Sequence, residues 1–469
     1  MIGKGIINML SKVYVIVAIV LILIAGLSGY IIGQNTSSAL VQTVTVEKTV
    51  VRTVTQQVTQ QPAAQPQQTI PDKIVVGFTV GLTGPFALAS TQGLWGIQAA
   101  TKWVNDVYGG IKIGGKRVKI ELKYYDDQSS RDIAPSLYER LITVDKVDFL
   151  LGPYGSPLVI ATAPVAEKYG KLMISWAGAS DAIFAQGFRW IVQSLTPSTG
   201  YLRTTMDMIK ALDPGAKIAI IYKDDEFNRY IAIGARDRAK ELGLNIIFYK
   251  SYPPGTSDFA PIYSEAATYK PDIIIVTGHV GDGMLAAKQL AEYNVNARLI
   301  IIVGGAVSYG EFYRSLGRLA EGIAGPSQWE EDAPYSPEVA KKLGIEWFGP
   351  TREEFLRIFY EIAGSTAKPT YLVGVGASGI LMLVKAIEIA QSLDQKAVRE
   401  AMNKMDILTF FGRLKIDPTT GKQIGHEMFV TQWQGGKLKI IWPPEVATSK
   451  PVYPIPTWDE KRQGKEAIP

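Results

Sequence analysis

The sequence predicts an α/β protein of two doubly wound lobes, carried behind an N-terminal transmembrane helix and a disordered stalk. Three observations predict it. Positions 13–32 carry no charge at all, positions 33–71 carry no aromatic residue, and from Ile74 onward short apolar runs alternate with amphipathic stretches. Near-continuous apolar strands separated by helices indicate parallel sheets covered on both faces. The alternation holds more elements than one compact sheet accommodates, and 469 residues exceed the usual one-domain length of about 100–200. Two lobes are therefore expected.

Composition removes much chemistry. There is no cysteine, so disulfides, thiolate metal sites, thiol nucleophiles and a lipid-attachment cysteine are all excluded. The only histidines, His279 and His426, do not make a histidine-rich metal cluster, and no metal or cofactor is expected. A net charge of +5 on this length is not the concentrated basic face of a nucleic-acid binder.

The elements follow in order. An uncharged helix over 13–32 would span roughly 30 Å, the thickness of a bilayer core. Lys4 and Lys12 precede it and the next charge is Glu47, so residues 1–12 are expected in the cytoplasm and the remainder outside. A cleaved leader usually has an apolar core of about 7–15 residues and a small-residue cleavage site. This run is longer and no such site follows, so it reads as an uncleaved anchor. Residues 33–71, rich in Gln, Thr, Val, Ser and Pro, cannot bury enough apolar surface to order themselves and read as a stalk.

Strands are expected at 74–80, 118–124, 147–151, 172–175, 217–222, 244–249, 272–277 and 299–303. Helices are expected at 92–107, 131–144, 157–169, 199–212, 227–242, 258–269 and 281–293. The break between lobes falls at 194–198. Further helices read at 352–363, 370–393 and 396–404, with closing strands at 412–417, 427–432 and 438–442. The Pro- and charge-rich tail, 446–469, is expected to hug the surface or stay loose. Gly374 to Gly379 spells the dinucleotide pattern G-x-G-x-x-G but follows no strand. Small residues that let two helices approach closely explain it better. The acidic clusters 224–226 and 330–332 lack calcium-loop spacing. With no G-x-S-x-G elbow, a hydrolase triad has little to work with, and an enzyme is not expected.

Several segments, in this order, carry a resemblance. They are Val80-Gly81-Leu82-Thr83-Gly84-Pro85, the run 103–110 (WVNDVYGG), Tyr125-Asp126-Asp127, Leu151-Gly152-Pro153, the run 175–181 (SWAGASD) with Phe184 and Gly187-Phe188, and 219–225 (AIIYKDD). Together they resemble the branched-chain amino-acid-type solute-binding proteins of ABC importers, over 74–442. The resemblance implies a type I periplasmic-binding-protein fold, two lobes on three crossovers closing around a small molecule. Lobe 1 would comprise 72–194 plus 325–409, and lobe 2 would comprise 195–324 plus 410–445. The implied partners are a small-molecule ligand (an amino acid or related carboxylate or amide) and ABC permease subunits, with the membrane reached through the N-terminal helix. A ligand-sensing ectodomain of the same fold is the alternative, but only about twelve residues precede the anchor.

Candidate ligand-binding residues lie on loops after strands. Gly155, Ser156 and Pro157 read either as a helix cap, with Ser156 at the N-cap, or as an anion site at a helix N-terminus. The resemblance implies that Gly178, Ala179 and Ser180 serve a ligand carboxylate through backbone and hydroxyl groups, and that Phe227 and His279 contact the ligand from the other lobe. Phe86, Tyr154, Trp176 and Phe227 would hold an apolar or planar remainder. Amino-acid binders of the family tend to carry an acid where this chain has Ala306. A buried ammonium without a countercharge is costly, so an α-amino ligand would need Asp225 or Asp282 instead.

Overall fold

The protein is described by a computed structural model over residues 70–469. The expected cytoplasmic segment, the expected anchor over 13–32 and the expected stalk up to residue 69 lie outside the described residues. What is described holds two large sheets and one small one.

The first sheet has the order β2-β3-β1-β4-β5-β6. Its strands are β1 (Lys73–Val80), β2 (Ile111–Ile113), β3 (Lys116–Asp126), β4 (Phe149–Leu151), β5 (Met173–Ser175) and β6 (Ile191–Gln193). All pair in parallel except the β2–β3 hairpin. The second sheet contains β7 (Lys217–Lys223), β8 (Asn245–Tyr252), β9 (Ile273–Thr277), β10 (Leu299–Val303) and β11 (Ala324–Ser327). Numbering passes over a small sheet, β12 (Glu346–Trp347), β13 (Ile407–Leu408) and β14 (Arg413–Leu414), to β15 (Phe429–Gln434) and β16 (Lys437–Trp442). The second sheet's order is β16-β15-β11-β10-β9-β7-β8, parallel from β8 through β11 and antiparallel beyond. Every residue of β9 and β10 is buried, as a strand covered on both faces requires.

The strands fall where the apolar runs place them, but two boundaries differ. β11 is a member of the second sheet, so that sheet's chain runs three residues beyond the expected 324/325 division. Arg413–Leu414, expected to close the second lobe, instead pairs with β13 in the small sheet.

The glycine-rich run belongs to a core helix, Tyr371–Ala390, which crosses Ala87–Lys102 beside the first sheet. A Cβ on Gly96 would fall 2.0 Å from the Val373 carbonyl oxygen, and one on Gly376 would fall 2.2 Å from that of Gly93. Contact at that range admits only glycine. Among the described residues this helix alone is long and apolar enough to cross a membrane, yet 83% of its apolar window is buried in protein.

The chain passes three times between the second sheet and the elements on the side of the first, after β6, after β11 and before β15, and His426 ties these passages together. Its Nδ1 lies 2.7 Å from the Thr196 hydroxyl, and its Nε2 lies 3.2 Å from the Phe411 carbonyl oxygen. Thr196 N–H in turn donates to Gln328 Oε1, so residues from all three connections meet at one point. Burial holds the imidazole neutral, with its pKa down at about 4.

The tail is not loose. Trp458 is fully buried and donates to the Val295 carbonyl at 2.7 Å. The buried Glu321 carboxylate accepts from the N–H groups of Gly435, Gly436 and Ala467, fixing the tail beside the β15–β16 turn. Lys461 lies under the same cover; burial brings its pKa down to about 7 against the pull of Glu321.

Candidate functional site

In each large sheet one strand has parallel neighbours on both sides that follow it in the chain: β1 between β3 and β4, and β7 between β8 and β9. Beyond the carboxyl ends of such strands a crevice opens, where loops and helix N-termini present unpaired donors. The loops after β1, β4 and β5 bring Phe86, Tyr154–Ser156 and Ser180 there from the first sheet. The loops after β7, β9 and β10 bring Phe227, His279 and Gly304 from the second.

Tyr154, Gly155, Ser156, Phe227 and His279 line one narrow gap of about 20 Å³, room for a single water molecule. Aromatic rings fill the rest. Phe86 meets Tyr154 edge-on at 5.4 Å and His279 at 5.0 Å, while Phe227 stacks on His279 at 5.4 Å. Five of the ten candidates thus line the gap, and Phe86 closes its outer side.

The remaining candidates sit behind it. Gly178 has its carbonyl taken by the Ser175 hydroxyl at 2.9 Å, and a Cβ there would strike Val159. The Ala179 carbonyl accepts from Ser198 N–H. Ala306 is fully buried and faces Gly283. Trp176 is a core residue: its indole donates to the Gly152 carbonyl at 2.7 Å, and its ring lies against Gly93.

Ser156 also departs from the capping expectation. Gly155, at φ 90°, occupies the N-cap of the helix Ser156–Tyr169, and Ser156 is its first residue. Freed from capping, the Ser156 Oγ accepts from the Ser180 N–H at 2.9 Å. The Ser180 hydroxyl caps the short helix Asp181–Phe184 and donates across the crevice to the Glu226 carbonyl at 2.8 Å. Arg131 reaches the Glu226 carboxylate at 3.2 Å from the same side.

The acids that could face an ammonium are occupied. Asp225 accepts from Asn228 and lies 3.1 Å from His279 Nε2; burial would raise its pKa, but these bonds hold it at about 2. Asp282 is held by Lys223 Nζ at 2.8 Å and by His279 N–H at 2.9 Å.

Residues missed by sequence reasoning are Ala177, Leu195, Tyr201, Gly304, Tyr371 and Leu372, which also line the gap. Leu195 belongs to the stretch 194–198, read only as a lobe boundary, and Tyr201 to the helix expected at 199–212. Tyr371 opens the helix read only for packing. A tyrosine at the head of an otherwise apolar buried helix was the available signal.

Two parallel sheets meeting over an aromatic crevice define a two-lobed binding protein. Residues 73–437 match the model of the periplasmic binding protein family. The chain belongs to that family, in its type I form associated with ABC importers. It is 24% identical over 389 residues to Leu/Ile/Val-binding protein homolog 7 of Brucella abortus (strain 2308), covering 80% of this chain and 93% of that protein. The leucine-binding protein LivK of Thermotoga maritima MSB8 shares the fold at a TM-score of 0.67 and 20% identity, covering 79% of this chain and 99% of its own. A solute-binding protein of R. palustris, solved with 4-hydroxybenzoate, does so at 0.66 and 20% identity, covering 78% and 95%.

Proposed function

We propose that this protein captures a small carboxylate with a planar or apolar body in the crevice between its lobes. It then delivers that solute to an ABC permease from the outer face of the membrane, to which residues 13–32 tether it. The observation carrying the reading is the pairing of uncharged anion donors with aromatic walls. Ser156 heads a helix of 14 residues, whose dipole favours an anion, and its Oγ, which accepts from the Ser180 N–H, keeps its own proton to donate. Phe86, Tyr154, Phe227 and His279 supply the apolar enclosure. The relatives named for leucine and solved with 4-hydroxybenzoate share this ligand chemistry, a carboxylate on an apolar body. Asp225 and Asp282 are already engaged, which favours ligands without an α-ammonium group.

Entry requires the lobes to part, because the gap holds no more than a water. A thermal-shift screen of aliphatic and aromatic carboxylates, amino acids, amides and urea tests the reading, since a ligand of the folded state alone raises its stability. Stabilisation by apolar carboxylates is expected; stabilisation by urea or amines alone would overturn it. Intact-mass analysis of the native protein tests the tether, which predicts a start before Val13.

A further inference from the structure

Beside Ser156, the same gap is walled by tyrosines. Tyr154, Tyr201 and Tyr371 all line it, and each is at least 95% buried. The Tyr201 oxygen accepts from Gln328 Nε2 at 3.0 Å, which leaves its own proton to donate. The hydroxyls of Tyr154 and Tyr371 have no hydrogen-bond partner among the described residues; burial, and then the neighbouring tyrosines, raise both well above the ordinary range. Neither hydroxyl is sealed away without a partner; each keeps a little surface through which a ligand can reach it. Two such hydroxyls beside a third free proton, on residues that all line one gap, can serve as a binding surface.

The position of Tyr371 identifies the partner's charge. A Cβ on Gly305 would stand 3.0 Å from its hydroxyl, so this phenol lies against the loop Gly304–Ala306, which offers no carboxylate. Glu330, whose charge acts on Tyr371, is bound by the Ser308 hydroxyl at 3.0 Å, and burial raises its pKa to about 7. Phenol hydroxyls both donate and accept, and carry no charge at neutral pH.

The geometry points to Tyr154, Tyr201 and Tyr371 as a distal subsite that reads an uncharged hydroxyl on the ligand, at the end remote from its carboxylate. The inference rests on the carboxylate reading above and adds a specificity to it. An ammonium at this end would meet no carboxylate that is not already engaged, whereas a hydroxyl satisfies a donor and an acceptor together.

Calorimetric titration with matched pairs tests it: benzoate against 3- and 4-hydroxybenzoate, phenylacetate against 4-hydroxyphenylacetate, and 4-(aminomethyl)benzoate as the cationic probe. At least one hydroxylated partner should bind about tenfold more tightly than its parent, the worth of one well-made hydrogen bond. In Tyr371→Phe and in the Tyr154→Phe/Tyr371→Phe double variant, which keep the rings, that advantage, taken as the ratio of the hydroxylated acid to its parent in the same variant, should fall to threefold or less. Equal affinities within every pair, or tighter binding of the aminomethyl acid, overturn the subsite but leave the carboxylate reading standing. Failure of every carboxylate to bind overturns both. An unaltered hydroxyl advantage in the double variant, folded by circular dichroism, overturns the assignment to these tyrosines.

Discussion

The Ser180 hydroxyl donates to the Glu226 carbonyl oxygen at 2.8 Å, joining a loop of the first sheet to the first turn of a helix beside the second. Arg131 joins the same residue through its carboxylate, with half of its own side chain in solvent. Both contacts exist only while the crevice is shut, but they differ in worth. A buried neutral hydrogen bond contributes about 0.5–1.5 kcal/mol, and an exposed ion pair has a median contribution of about 0–1 kcal/mol.

Ser180→Ala should therefore shift the lobes toward the open form and weaken ligand binding several-fold, whereas Arg131→Ala should change it less than twofold. Small-angle scattering with and without ligand, alongside calorimetry, reads both. A larger effect of Arg131→Ala would show that the surface pair is the one holding the lobes shut.

The crossing of the two first-lobe helices makes a stability prediction. Gly96→Ala places a methyl group 2.0 Å from the Val373 carbonyl oxygen, and backbone cannot swing aside as a side chain can. Overpacking of this kind costs about 1–3 kcal/mol or more. Urea denaturation should show the midpoint lowered accordingly. Wild-type stability in this variant would mean that the helices do not approach as described.

His426 makes a pH prediction. Its folded pKa of about 4 lies below the ordinary 6.5, so between these values the unfolded chain binds a proton that the folded one refuses. Stability from the neutral imidazole is thus complete above pH 6.5 and is lost as pH falls toward 4, on the order of 3 kcal/mol in all. Glu330 works the other way: its raised pKa of about 7 contributes stability below pH 4.5 that is lost on going up to 7. The two are separated by His426→Gln, which keeps an acceptor for Thr196 and a donor for Phe411. The stability of the wild type relative to this variant should shrink as pH falls from 7 to 4. A constant difference would contradict a neutral histidine at the hinge.

Much of the fold was legible because buried parallel strands are written as unbroken apolar runs: β9 and β10 stand within a residue of where 272–277 and 299–303 place them. The β2–β3 hairpin was not read, although its turn, Gly114-Gly115, is glycine at two positive φ angles. The packing of the tail could not be seen in its composition; Trp458 and Glu321 are held by partners more than a hundred residues away. Site residues were legible where a loop follows a strand. They failed where local chemistry stood in for geometry: Ser156 beside Pro157 reads as a cap, yet Gly155 takes that position and releases the serine. Trp176, on a loop by sequence, is drawn under Gly93 by a close approach that only the folded chain reveals.

The central claim is a carboxylate held by Ser156 at the head of a helix, and matched acid and amide ligands test it most directly. Hydrogen bonds to a charged group contribute about 1.5–3 kcal/mol, and each 1.4 kcal/mol is a factor of ten. Isothermal titration of an apolar carboxylate and its primary carboxamide should show the acid binding at least tenfold more tightly, with Ser156→Ala erasing most of that preference. An amide that binds as well as the acid, or a preference untouched in Ser156→Ala, would contradict the account.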